Sequence, residues 1–483
     1  MAKRVVRGVW LTAIALAGVA APRAAEAIPV FANAQGLSCE QCHSAVPNLN
    51  GYGRYILATN FAKVLDAHKQ MKENLRDPVS LEVTGNGSNT PDPTLPKIYA
   101  GVVDFLSAGY VGPKVTYYAS VPAVDDGYPA SAVDQLWGAY DGFSSGNGSL
   151  QVGKFATPIF APWLSQPLSL SGYALGAGPI GANVVGIGDT RWGASYTQMG
   201  RNGLIGNVAY LTNTGPIERA YNSNINDPET AAEGQSFVAS LQQMAIASHI
   251  TGGVAFERGG YTLPSGATDT YTRTMALASY STAPSYDIVA MASLGHDNDP
   301  NDGASPVSAS NGYFLEGVYG PVPWLHLDAR YERVNDGLGT IQNNYIGDIA
   351  FSIKPNLVLT LENFSSVGAR PVMSYQLLYA GPWRQSRSAS PSAASAPVAS
   401  AVASAPDASA GKDLYASNCS ACHGAAGGGG VGPSLAGIGK RDSHDQIVTF
   451  IEAPAGSIMP KLYPSTLSAA QVNDVAAYII KTF

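Results

Sequence analysis

Between residues 80 and 383 apolar and polar side chains alternate with a period of two, in short segments separated by turn-forming residues. That period belongs to a strand with one apolar and one polar face. The segments fall near 81–88, 97–107, 113–121, 133–143, 148–157, 190–199, 202–213 and 234–244, then near 246–258, 269–281, 284–296, 311–320, 322–334, 341–353, 355–366 and 371–380. They predict about sixteen strands. Leu325, Leu327, Ala329 and Tyr331 share one face, while His326, Asp328, Arg330 and Glu332 share the other. The same dyads recur where Tyr345, Gly347, Ile349, Phe351 and Ile353 alternate with Ile346, Asp348, Ala350 and Ser352, and where Leu357, Leu359 and Leu361 alternate with Val358, Thr360 and Glu362.

A soluble sandwich gives such dyads too, and the connections separate the two architectures. After even-numbered segments they are tight, as at Gly200-Arg201, Thr282-Ala283, Gly320-Pro321 and Lys354-Pro355. After odd-numbered ones they are usually long, as at 122–132, 158–189, 214–233 and 297–310. Short turns on one rim and long loops on the other are the pattern of an outer-membrane barrel. An even strand count returns both ends of the barrel to the periplasmic side. Tyr99, Phe105, Tyr140, Tyr331 and Tyr379 are candidates for its interfacial aromatic belts. The predicted fold class is mainly β: a transmembrane antiparallel β-barrel of about sixteen strands over residues 80–383, in contact with outer-membrane lipid.

Composition divides the flanks. Lys3, Arg4 and Arg7, the short apolar run Val9 to Ala21 and the A-x-A site Ala25-Glu26-Ala27 predict a signal peptide over residues 1–27. Residues 28–77 are mixed and partly helical. Residues 386–410 are almost wholly Ala, Ser, Pro and Val, the composition of a linker with no core of its own. Residues 411–483 regain globular composition, with a closing helix predicted from about Ser468 to Thr482. The net charge of −7 carries no basic footprint, so nucleic acid is not an expected partner.

All four cysteines sit in two identical frames, Cys39-Glu40-Gln41-Cys42-His43 and Cys419-Ser420-Ala421-Cys422-His423. A disulfide framework gives no reason for a histidine directly after each second cysteine. Covalent haem does: two thiols at this spacing reach the two vinyl groups of one porphyrin, and the next residue, His43 or His423, becomes the proximal iron ligand. Two haem c groups are therefore expected.

The whole of residues 411–483 resembles a small class I cytochrome c: a helical lead-in through Gly411 to Tyr415, the haem frame, Gly432-Pro433-Ser434-Leu435, then Met459-Pro460 and the closing helix. The resemblance implies His423 as proximal ligand, Met459 as distal ligand and the Pro433 carbonyl as the group that orients the His423 ring. Met459 is also the only methionine of this segment, and His444, its competitor, sits in the charged run Lys440 to Asp445. Upstream, Ile28-Pro29-Val30-Phe31-Ala32, the first frame and Pro47-Asn48-Leu49-Asn50-Gly51-Tyr52-Gly53-Arg54 resemble the fused cytochrome–porins of iron-oxidising bacteria. That likeness covers residues 28–383, the barrel by architecture alone, and the chain departs from it by adding the linker and second cytochrome. For the distal ligand of the first haem several residues compete. Phe61, Val64, Leu65, His68, Met71 and Leu75 fall on one helical stripe, which offers His68 or Met71. His249 and His326 face the predicted lumen, and His68 has an equal reading as a helix-face residue with no ligand role.

The resemblance implies an electron conduit across the outer membrane, with residues 28–77 as a haem-bearing plug. The donor would be extracellular ferrous iron, which makes a ferrous iron oxidase conceivable, and the acceptor a periplasmic cytochrome or other soluble electron carrier. The alternatives are an outward conduit to an extracellular acceptor, and a diffusion porin with tethered cytochromes. Asp328 and Glu332 read as lumen polarity rather than as catalytic groups.

Overall fold

The computed structural model describes residues 42–61, 79–382 and 406–483, apart from connecting segments of which 160–167 and 213–233 are the longest. The expected signal peptide, Cys39, the expected stripe with His68 and Met71, His249 and Pro433 lie outside the described residues.

Antiparallel strands close into one barrel, from Ser80–Ser88 to Val372–Pro382, and these two pair with each other from Ser80↔Pro382 to Ser88↔Ser374. Sixteen strands form the wall. The two-residue strand Tyr128–Pro129 pairs back onto Val124 and Asp125, while Val115–Asp125 and Gln135–Phe143 pair directly. The expected loop 122–132 is thus mostly an extension of a hairpin beyond the rim.

The dyads decide which face is which. Leu315, Ile349 and Leu361 are exposed outward, whereas their neighbours Glu316, Asp348 and Glu362 are buried inside. An apolar exterior over a polar interior is the inverse of a soluble domain and matches a hydrocarbon surrounding. Aromatic contacts gather near both rims. Tyr286 stacks on Tyr319 at 4.8 Å near the short-turn end, beside Tyr140 against Phe143 at 5.3 Å. Near the long-loop end Tyr331 meets Tyr345 at 5.1 Å, and Tyr210 meets Phe237 at 5.1 Å. Among the described residues no helix is long and apolar enough to cross a membrane.

The connection after Gly148–Ala156 does not stand out from the rim but turns into the lumen. Ser171 donates to Glu362 through Oγ at 2.6 Å and through its backbone N–H at 2.8 Å, and Tyr173 donates to Glu316. Arg330 donates to Ser169 Oγ at 2.6 Å and to the Ser171 and Gly172 carbonyls, with its guanidinium 4.3 Å over the Tyr173 ring. Farther along, Asn183 donates to Asp269 at 2.8 Å. Charged side chains taken out of water need such partners. The wall meets that need as well, pairing Arg191 with Glu257 at 2.7 Å and Arg273 with Asp297 at 2.8 Å.

The C-terminal segment folds as helices Ala408–Asn418, Ser420–His423, Ile438–Arg441, His444–Glu452 and Ala469–Thr482. Two starts carry full capping boxes, Ser443 with Gln446 and Ser468 with Gln471. Val472, Val475, Ala476 and Ile479 follow one helical stripe and are buried against Tyr415, Ile447 and Ile451. Gly411 permits the closing helix to cross here, since a Cβ on it would lie 2.0 Å from the Asp474 carbonyl oxygen.

Candidate haem sites

The first frame stands at the head of a compact plug. His43–Ala45 pairs with Asn48–Leu49 in a small hairpin, and the helix Gly51–Ala58 follows at once. Asn50 ties the two together: its side chain accepts from Gly53 N at 3.0 Å, and its own N–H donates to the Cys42 carbonyl at 2.9 Å. The helix and hairpin are so close that a Cβ on Gly53 would sit 2.1 Å from Cys42 O. His43 is 8% exposed, with Nδ1 2.9 Å from the Pro47 carbonyl oxygen. That bond favours the tautomer with hydrogen on Nδ1, which leaves Nε2 with its lone pair for a metal. Burial lowers His43 to about 4, against backbone hydrogen bonds at Pro47 and Asn48 that act the other way, so the ring is neutral near pH 7. Burial pushes the Cys42 thiol up to about 12.

The plug is fixed to the barrel near its short-turn rim. Arg54, 2% exposed, forms an ion pair with Asp287 and lies 3.4 Å from Ser281 Oγ. The helix then ends in Asn60 and Phe61, whose φ of 51° and 62° place both in the left-handed region. The wall holds this turn through Thr116 Oγ1 on Asn60 O at 2.7 Å, Tyr110 OH on Phe61 O at 2.8 Å and Asn60 Nδ2 on Ser149 at 3.2 Å. Phe61 stacks on Trp137 at 5.3 Å. Tyr52, Tyr55 and Ile56 enter the lumen cluster of Leu277, Val289, Met275 and Met291, against which Cys42 also packs. Cys42 also packs against a second cluster, which includes Val46, Val318, Ala350, Val358, Leu378 and Ala380.

The second frame lies on one helical turn. Cys419 caps Ala408–Asn418, and the His423 N–H donates to its carbonyl at 3.0 Å. Gly424, at φ 81°, stops the turn, and its carbonyl accepts from Tyr415 OH at 2.7 Å. Cys419 is buried, and burial pushes its thiol up to about 12. Met459 is half-buried against the core that holds Cys419, Leu435 and Leu462. His444 is engaged elsewhere, with Nδ1 3.3 Å from Asp445 Oδ1 and Nε2 3.2 Å from the Asn473 carbonyl oxygen.

The described residues fit covalent haem. Each frame presents a thiol next to a histidine, the first of them neutral and oriented by a carbonyl, and the second shares a core with the expected thioether. Sequence reasoning gave Arg54 no role, although a lone cation in the apolar run Tyr52 to Ile56 was the available signal. It also gave no inward course to the connection after Ala156, whose partners are far away in the chain.

Residues 406–479 match the family model described as cytochrome c oxidase, cbb3-type, subunit III. The C-terminal segment is a cytochrome c domain, which implies bound haem c and electron-carrier partners. The chain is also similar to an anion-selective porin from Comamonas acidovorans, at 10% identity over 62% of this chain and 98% of that one, with a TM-score of 0.46. A loop-deletion mutant of OmpT from Vibrio cholerae is 13% identical over 62% and 97%, at 0.44, and the channel DcaP of Acinetobacter baumannii 10% over 62% and 96%, at 0.43. At these identities and scores none of the likenesses bears on what this barrel conducts. No curated protein matches the chain.

Proposed function

We propose that this protein is a dihaem conduit for electrons across the bacterial outer membrane, with both termini in the periplasm. In this reading Cys39 and Cys42 attach one haem c with His43 as its proximal ligand, and Cys419 and Cys422 attach the other between His423 and Met459. Haem c, when bound, supplies reversible one-electron chemistry. The observation that carries the reading is the place of the first frame: half-buried Cys42 and buried His43 stand on a plug tied to the barrel wall by Arg54 and Asp287. A wall of this strand number otherwise encloses an aqueous channel. A hydrocarbon core about 30 Å thick is hard for an electron to cross without a redox group inside it.

The chain's own groups then have distinct tasks. Pro47 holds the His43 ring, the Tyr52–Tyr55–Ile56 face excludes water, and the inward connection with Ser171 and Tyr173 narrows the remaining lumen. These features count against a diffusion porin. By resemblance the donor is extracellular ferrous iron, taken one electron at a time, and the acceptor a soluble periplasmic carrier.

The test uses the full chain in liposomes. Pyridine haemochrome assay should give two haems per chain, falling to one when Cys419 and Cys422 are both replaced by Ala. Ferrous iron added outside should reduce both haems while ion conductance stays low. A single haem in the parent protein, or a porin-like conductance, would overturn the reading.

A further inference from the structure

We propose that His326, on the barrel wall, is the distal ligand of the plug's haem, so that this cofactor is clamped between plug and barrel. The proposal rests on the assignment of a haem to Cys39, Cys42 and His43. His326 is 4% exposed and shares the lumen face with Asp328, Arg330 and Glu332. It lies one residue inside the short-turn end of Leu325–Asn335, the end that receives the plug. Its cross-strand partner is Ala350, and the next lumen residue on its strand, Asp328, pairs with Val318. Ala350 and Val318 both belong to the apolar patch on which Val46 and Cys42 pack. Ala350 beside His326, and Val318 beside its strand neighbour Asp328, thus belong to the wall patch that packs with the first haem frame.

The chemistry favours this residue over its lumen neighbours. Imidazole is a common metal ligand, and its two ring nitrogens let one hydrogen-bond while the other binds a metal. Met275 and Met291 also lie near the plug, among Tyr52, Tyr55 and Leu277. A thioether there is satisfied by packing alone. Two imidazole ligands also order the redox groups: Met/His ligation raises the iron potential, so the plug's group falls below the one held by His423 and Met459. Electron flow from the plug towards the C-terminal domain is then downhill.

The test uses the full chain carrying Cys419→Ala and Cys422→Ala, so that only the plug's haem absorbs. Its ferric optical and EPR spectra should be those of low-spin bis-imidazole iron. Adding His326→Ala should convert the spectra fully to high-spin, and free imidazole should return them to low-spin. His326→Met should stay low-spin with a raised midpoint potential, and this variant serves if the alanine form does not assemble a heat-modifiable barrel. Low-spin spectra that persist in His326→Ala but vanish in His68→Ala would overturn the proposal. A parent chain without any haem would instead overturn the first-haem assignment, which separates the two failures.

Discussion

At the scale of single residues, the plug depends on one buried ion pair. Arg54 reaches Asp287 from a helix whose other inward side chains are apolar, and both partners are more than nine-tenths buried. Removing one member of such a pair leaves an uncompensated charge and costs about 3–5 kcal/mol. Arg54→Met is therefore expected to loosen the plug while leaving the wall intact. Single-channel recording should show raised conductance with unchanged barrel heat-modifiability, and Asp287→Leu added to Arg54→Met should recover part of the closure. The chemistry at this scale was largely legible in the sequence, because two cysteines followed by histidine are a local statement. What holds the rings was less so. That His43 bonds Pro47, four residues on, follows from the path of a hairpin whose strands span only His43–Ala45 and Asn48–Leu49. Lying beyond the described residues, Cys39 and His68 remain expectations.

At the scale of elements, the wall works because its strands were written with period 2 and its loops were not. Leu315 is 53% exposed on the outer face, between Tyr313 and Tyr319 of the two aromatic belts, while Glu316 beside it is 3% exposed in the lumen. Leu315→Arg should cost about 2–4 kcal/mol, as a cation facing hydrocarbon does near the bilayer middle. Urea titration of barrel folding into vesicles should show that loss, whereas Ala309→Arg, nearer the long-loop end, should show much less. The same alternation made the fold readable: predicted segments such as 190–199 and 148–157 meet observed strands Thr190–Met199 and Gly148–Ala156 almost to the residue. Strand ends were less legible, as where the segment near 246–258 became Ile250–Thr262, since glycine-rich stretches such as Gly252-Gly253 and Gly259-Gly260 carry no facing signal. The inward connection was not legible at all. Ser171 and Tyr173 are ordinary loop residues until Glu362 and Glu316, well over a hundred positions away, supply their partners.

At the scale of the whole molecule, the question is why a chain with a haem frame in its plug carries a second on a tether. Residues 383–405 separate the described barrel from the described cytochrome. Their Ala/Ser/Pro composition predicts a span of about 25–30 Å for a coil of that length. If both ends of the barrel face the periplasm, protease outside intact cells should cut within 214–233 or 297–310 and spare 386–410. Cleavage of the linker from outside would reverse the topology. Tethering also keeps the cytochrome near the plugged mouth at an effective concentration on the order of millimolar. A domain held there can collect an electron at the mouth and then hand it to a soluble carrier, so the two frames should work in series. Deleting residues 411–483 should leave the plug's haem reducible by an external donor while slowing reduction of a periplasmic acceptor. Met459→Ala should act in the same direction, because loss of the thioether lowers the potential of the iron held by His423. Stopped-flow spectroscopy of liposomes with the donor outside reads the order directly. Reduction of the C-terminal haem before the plug's haem, or its normal reduction when His43 is replaced, would show that the two do not act in series.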